Sequence, residues 1–150
     1  MSYSGGQLLR QESDSEDEGC NFLSFRCASL TLLGLFAFTI TYHVLILSHV
    51  VPYKYVWGGR LKSESSMLHF ETVSLSVNLL LVVLVLLRGG FCCQSAPQSL
   101  LRGLCLVFSL VFALNTVGNL LASSWFEMLA FTPVTLLASV AFFRLYNEPK

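Results

Sequence analysis

Along the chain the polar positions gather in a few short segments and leave four apolar runs nearly free of charge, at about 27–50, 70–87, 104–123 and 125–143. Each run is close to the ~20 residues that an α-helix needs to cross hydrocarbon, with ~17 as the lower limit. A segment in hydrocarbon must satisfy its own backbone hydrogen bonds, so it crosses as a helix or as part of a closed barrel. The runs lack the apolar/polar alternation of barrel strands. The expected fold is therefore all-α: a four-helix transmembrane bundle over residues 27–146, preceded by a disordered acidic tail at 1–26. The tail is mostly polar and has no small-residue cleavage site before the first run, so that run reads as a retained span and not as a cleaved signal peptide.

Polar residues inside the runs are the next signal, because a polar group in hydrocarbon needs a partner. With outer ends near Val50, Phe70, Ser123 and Met128 and a rise of ~1.5 Å per residue, His43, Asn78, Asn115 and Thr135 fall at a common depth, roughly 10–12 Å below the outer surface. Each helix contributes one. Glu71, Ser74, Asn119 and Thr132 lie above this layer, and "LLLVVLVLL" and "LCLVFSLVFA" below it are almost wholly apolar. Residues three, four and seven apart share a helix face, which groups Glu71, Ser74 and Asn78; Asn115, Gly118, Asn119 and Ala122; Thr39 and His43; and Thr132, Thr135 and Ser139. Gly118 and Ala122 have the small-x-x-x-small spacing that allows close helix approach. Pro133 lies inside the fourth helix if that helix starts at a Ser124–Glu127 capping box, and it then frees the carbonyl of Leu129. The layer reads as hydrogen-bonding glue between helices, as an outward-facing vestibule for a lipid headgroup or small ligand, or as the seat of a partner's transmembrane helix. The apolar inner half argues against a pore, and the lack of an inverted repeat against alternating access.

Composition supports the membrane reading: 54% of residues are hydrophobic and 12% charged, against about 25% charged in soluble domains. Net charge is zero, which gives no footing for nucleic acid. Lys and Arg near the spans set orientation. Arg10, Arg26, Arg88, Arg102, Arg144 and Lys150 fall on one side and Lys54, Arg60 and Lys62 on the other, which puts both termini in the cytoplasm. Cys20, Cys27, Cys92, Cys93 and Cys105 all fall near the same end, consistent with reduced thiols. Cys92 and Cys93 are adjacent after the second run, where S-acylation is open, and their spacing does not suit a metal. No cofactor is expected. In "ESDSEDEG", Ser13 and Ser15 each precede a glutamate by three residues, a pattern suited to an acidophilic kinase.

The outer segment "PYKYVWGGRLKSE" carries Tyr53, Tyr55 and Trp57, rings of the type enriched at the membrane interface. Gly58 and Gly59 permit a turn, Arg60 reaches water or phosphate, and Ser63 to Ser66 can cap the next helix. This segment reads as an interfacial anchor or as a cap over the polar layer. "YVWGGRLKS", "FALNTVGN" and "FTPVTLL" resemble recurring segments of a family of small four-span membrane proteins of uncharacterised function, mainly bacterial, over residues 30–145. The resemblance implies a four-helix fold, with Trp57, Gly58, Gly59, Asn115 and Asn119 in the shared pattern, and no reaction. The leading functional expectation is a non-catalytic accessory or scaffold subunit packing on another membrane protein or on itself. The alternative is a bundle that binds membrane lipid or a small ligand in the polar layer. An enzyme would have to use His43 and Glu71 as a proton shuttle, with Glu71 placed about a helical turn nearer the boundary and no nucleophile or metal set beside them.

Overall fold

The computed structural model describes residues 24–53, 56, 61, 63–92, 95–121 and 125–148. The candidate phosphorylation sites Ser13 and Ser15, the loop residues Tyr55, Trp57, Gly58, Gly59 and Arg60, and Cys93 lie outside them. The described chain forms four helices, α1 (Phe25–Leu47), α2 (Glu64–Arg88), α3 (Gln98–Leu120) and α4 (Trp125–Asn147). Each holds a stretch long and apolar enough to cross a membrane.

Three boundaries move outward from the apolar runs. Helix α2 starts at Glu64 and not near 70, because Ser63 has extended backbone and its hydroxyl accepts the Ser66 N–H at 3.2 Å. That bond satisfies one of the donors left open at a helix start. Helix α3 starts at Gln98 and not near 104, immediately after Pro97. Helix α4 runs to Asn147 and not 143, carrying Pro133 in its interior. At the other end of the chain, Ser24 caps α1 by accepting the Cys27 N–H at 3.1 Å. Two ends move inward, α1 stopping at Leu47 and not 50 and α3 at Leu120 and not 123, so hydropathy alone misplaces a span's ends in both directions.

Helices α3 and α4 form the most extensive pair, α1 packs on both α2 and α4, and α2 packs on α3 more slightly than any of these. The main core joins Leu32 and Phe36 of α1, Leu81 and Val85 of α2, Cys105 of α3 and Ala138, Phe142 and Leu145 of α4. Phe36, Phe108 and Phe112 surround Phe142 with ring centroids 6.0, 5.9 and 5.7 Å away. Ser109 sits within the stretch read as apolar, yet its hydroxyl donates to the carbonyl of Ser139, and Ser139 returns a bond to the carbonyl of Ser109, both at 2.9 Å. A smaller cluster of Ile46, Val56, Leu61 and Met67, flanked by Tyr42 and Tyr53, folds the loop after α1 onto the bundle's end. Leu79, Leu80, Val83, Leu110 and Leu114 face outward, an apolar exterior suited to lipid.

Two expectations are corrected here. Gly118 does not mediate close packing within the bundle, since a Cβ built on it would meet nothing within 4 Å; it faces away from α4, the helix against which α3 packs. The thiols are not all reduced: Cys27 is disulfide-bonded, while Cys92, exposed, and Cys105, buried, are free. Disulfide pairing depends on proximity in the fold, which the position of a cysteine along the chain does not reveal.

Candidate functional site

A cavity of about 460 Å³ lies between the four helices in the half of the bundle nearer the α1–α2 loop. Its wall contains His43, Asn78, Asn115, Asn119 and Thr135, five of the six residues assigned to the polar layer, together with Thr39 and Ser74. The sixth, Glu71, is fully buried behind His43. Toward the bundle centre the wall becomes apolar, with Leu35, Phe36, Leu81, Phe112 and Ala138.

The polar residues form two separate sets rather than one ring. Between α1 and α2, the Thr39 hydroxyl donates to Asn78 Oδ1 at 2.8 Å, and Asn78 Nδ2 donates to the Ser74 carbonyl at 2.8 Å. One turn outward, His43 Nδ1 lies 2.6 Å from Glu71 Oε2, close enough that one proton lies between them. The depth estimate placed Glu71 a turn above His43, and that is corrected: the two are in contact. Its cause was the assumed start of α2 near Phe70, which set the antiparallel register of the two helices too far along. The contact occupies Nδ1 and leaves Nε2 as the nitrogen of His43 available to a ligand at the cavity wall.

Between α3 and α4, Thr135 Oγ1 accepts from Asn119 Nδ2 at 3.2 Å and lies 3.0 Å from Thr116 Oγ1. Thr135 in turn donates to the carbonyl of Phe131 at 2.9 Å. Thr116 was not singled out in the sequence, although it stands three residues before Asn119 on the same face. Asn115 differs from the others: it is exposed and makes no hydrogen bond among the described residues. Tyr53 packs against the outer cluster of Ile46, Val56, Leu61 and Met67.

The mouth of the cavity follows from the packing. Val73 and Val77 of α2 line it and are 51% and 46% exposed, Asn115 of α3 is exposed on the opposite flank, and α2 packs on α3 only slightly. The opening is lateral, toward the hydrocarbon that would surround the bundle.

Comparison of the chain with family models, with curated proteins and with solved structures gives no match.

The chemistry therefore has to be read from the wall itself. It offers neutral amides, hydroxyls and one imidazole at one end, aromatic and aliphatic surface at the other, and no Lys or Arg among the described lining residues. The His43–Glu71 contact removes the distance objection to a proton relay between them. No group of three or more His, Cys, Asp or Glu that could hold a metal is found among the described residues.

Proposed function

We propose that the bundle binds a membrane amphiphile, a lipid or a lipid-like small molecule, in the lateral cavity. The observation that carries this reading is the polarity gradient along one cavity: hydrogen-bonding groups near the membrane surface, apolar wall toward the bilayer centre, and a mouth on the lipid side. An amphiphile entering from the bilayer has the same gradient, with its head near the surface and its chain inward. A volume of about 460 Å³ falls in the ~300–1,000 Å³ range of small-molecule sites. Asn115, Asn119 and the free nitrogen of His43 would hold the polar end, and Phe36, Leu81 and Phe112 the chain. In this reading Glu71 orients His43.

The test is the lipid that co-purifies with the protein in a mild detergent. Val77→Trp places a large ring at the mouth from a position that is already half exposed, so it obstructs entry without straining the core. Bound lipid, measured by native mass spectrometry, should fall while the melting temperature stays near wild type. Equal lipid content in the two proteins would contradict the reading.

An accessory-subunit role remains the second reading, and one observation favours it. Asn115 exposes an amide without a described partner, one turn from the open surface at Gly118, as a face covered by another membrane protein or a second copy would. A discrete larger complex in detergent, lost in Asn115→Leu, would support that role. Orientation with both termini in the cytoplasm is proposed on the Lys and Arg distribution alone, since the disulfide at Cys27 removes the support of uniformly reduced thiols. Membership of the four-span family resembled by the "VWGGRLKS", "FALNTVGN" and "FTPVTLL" segments is likewise a proposal.

A further inference from the structure

At the end of the bundle opposite the cavity, a second hollow of about 370 Å³ is lined by Arg88, Gln98, Ser99, Arg102, Gly103 and Tyr146. Arg88 closes α2 and is only 1% exposed. Its Nε and Nη2 donate to the carbonyl of Leu145 at 3.1 and 2.8 Å, Nη2 also reaches the carbonyl of Glu148 at 2.6 Å, and Nη1 donates to Gln98 Oε1 at 3.2 Å. These bonds satisfy carbonyls at the α4 C-terminus, the negative end of its dipole. They supply no full negative charge. Among the described residues no carboxylate is within ion-pair distance of Arg88 or Arg102; Glu148 pairs with Arg144 at 2.7 Å and acts on Arg88 only at longer range.

Buried charges are ordinarily paired, because desolvation without a counter-ion is costly. Here a second cation stands beside the first. Arg102 donates from Nε to the carbonyl of Tyr146 at 2.8 Å and lies 4.9 Å from the Tyr146 ring centroid, while its two terminal nitrogens donate to nothing among the described residues. The same hollow receives the start of α3, which has no side-chain cap and no acidic residue in its first turn. The amides of Leu100 and Leu101 turn back to Pro97, and those of Gln98 and Ser99 have no acceptor among the described residues. A helix start adds positive potential and donors suited to an anion.

We infer that this hollow binds a phosphate group, carried either by an anionic phospholipid headgroup or by a soluble phosphate. Arg88, fixed by four bonds, supplies buried charge. Arg102 supplies the two free terminal nitrogens in the planar fork that suits phosphate oxygens, and the open amides of Gln98 and Ser99 complete the donor set. The hollow lies at the ends of α2, α3 and α4, where a spanning bundle meets lipid headgroups, and basic pockets between transmembrane helices are a recognised setting for them. It is independent of the lateral cavity.

The test uses the full chain in dodecyl maltoside, which carries no phosphate, with melting temperature followed against added phosphatidylglycerol or added sodium phosphate, each compared with chloride at equal ionic strength. A saturable rise with phosphatidylglycerol alone identifies a lipid headgroup, and an equal rise with sodium phosphate identifies a soluble source. Either response should weaken about tenfold or more in Arg102→Gln, the loss expected for a charge-assisted bond, recover partly in Arg102→Lys, and persist in Val77→Trp. Ser99→Asp is a second variant that puts a carboxylate at an exposed edge of the hollow; it should keep the fold and abolish the response. A wild-type protein that responds no more to either phosphate than to chloride would overturn the inference, as would an undiminished response in both Arg102→Gln and Ser99→Asp.

Discussion

Replacing Thr135 by Val removes a hydroxyl at nearly constant volume, and proton counting predicts which neighbour is affected. Thr135 spends its own proton on the carbonyl of Phe131, 2.9 Å away. Thr116 has a single proton to share between the Phe112 carbonyl at 2.8 Å and Thr135 Oγ1 at 3.0 Å. When Thr135 Oγ1 is deleted, Thr116 turns fully to Phe112 and loses little. Asn119 Nδ2, bonded to Thr135 Oγ1 at 3.2 Å, loses the only acceptor it has among the described residues. Interhelical side-chain bonds in membrane proteins average about 0.6 kcal/mol and reach ~1.7 kcal/mol, so Thr135→Val should cost an amount in that range. The assay is unfolding in mixed maltoside–dodecyl sulfate micelles followed by circular dichroism, arranged as two double-mutant cycles. Asn119→Leu with Thr135→Val should couple by about 0.6 kcal/mol or more, whereas Thr116→Val with Thr135→Val should be additive within ~0.3–0.5 kcal/mol. A larger coupling for Thr116 than for Asn119 would refute the proton assignment.

Ser109→Ala and Ser139→Ala should each cost about 0.6 kcal/mol and add in the double variant, because the carbonyl each leaves also lies within a helical hydrogen-bond ladder; the same unfolding assay reads this. Gly118→Ala should leave stability unchanged or raise it by up to ~1 kcal/mol through helix propensity, since nothing within 4 Å meets the added methyl, and a clear loss would place Gly118 in an interface. For orientation, cysteines introduced at the exposed positions Ser63 and Ser95, in a background without native cysteines, should label with an impermeant maleimide on intact cells at 63 and not at 95. The reverse pattern inverts the topology.

The four helices and the polar layer were legible in the sequence because both rest on local quantities, namely apolar length and the cost of polar groups in hydrocarbon. His43, Asn78, Asn119 and Thr135 recur together at one cavity for that reason. What escaped was pairing. A register error of about one turn between α1 and α2 hid the His43–Glu71 contact, and nothing local says which of Asn78 or Glu71 a given α1 residue meets. Ser109 was hidden in an apolar stretch whose average hydropathy masks one hydroxyl. Arg88 and Arg102 were counted only as charges that set orientation, although an arginine closing a span opposite another helix's C-terminus has carbonyls within reach. Gly118 shows the converse: its spacing fits a packing motif, but no neighbouring helix comes within 4 Å of a Cβ built on it.

The central claim is that an amphiphile lies in the lateral cavity with its chain toward the bundle centre. A phospholipid carrying a photoactivatable diazirine at mid-chain, incorporated with the wild-type protein and mapped by peptide mass spectrometry after irradiation, tests this most directly. The account predicts crosslinks at Leu35, Phe36, Leu81, Phe112 and Ala138, which line the inner cavity, and their loss in Val77→Trp. Crosslinks confined to outward-facing residues such as Leu79, Leu80, Val83, Leu110 and Leu114 would contradict it.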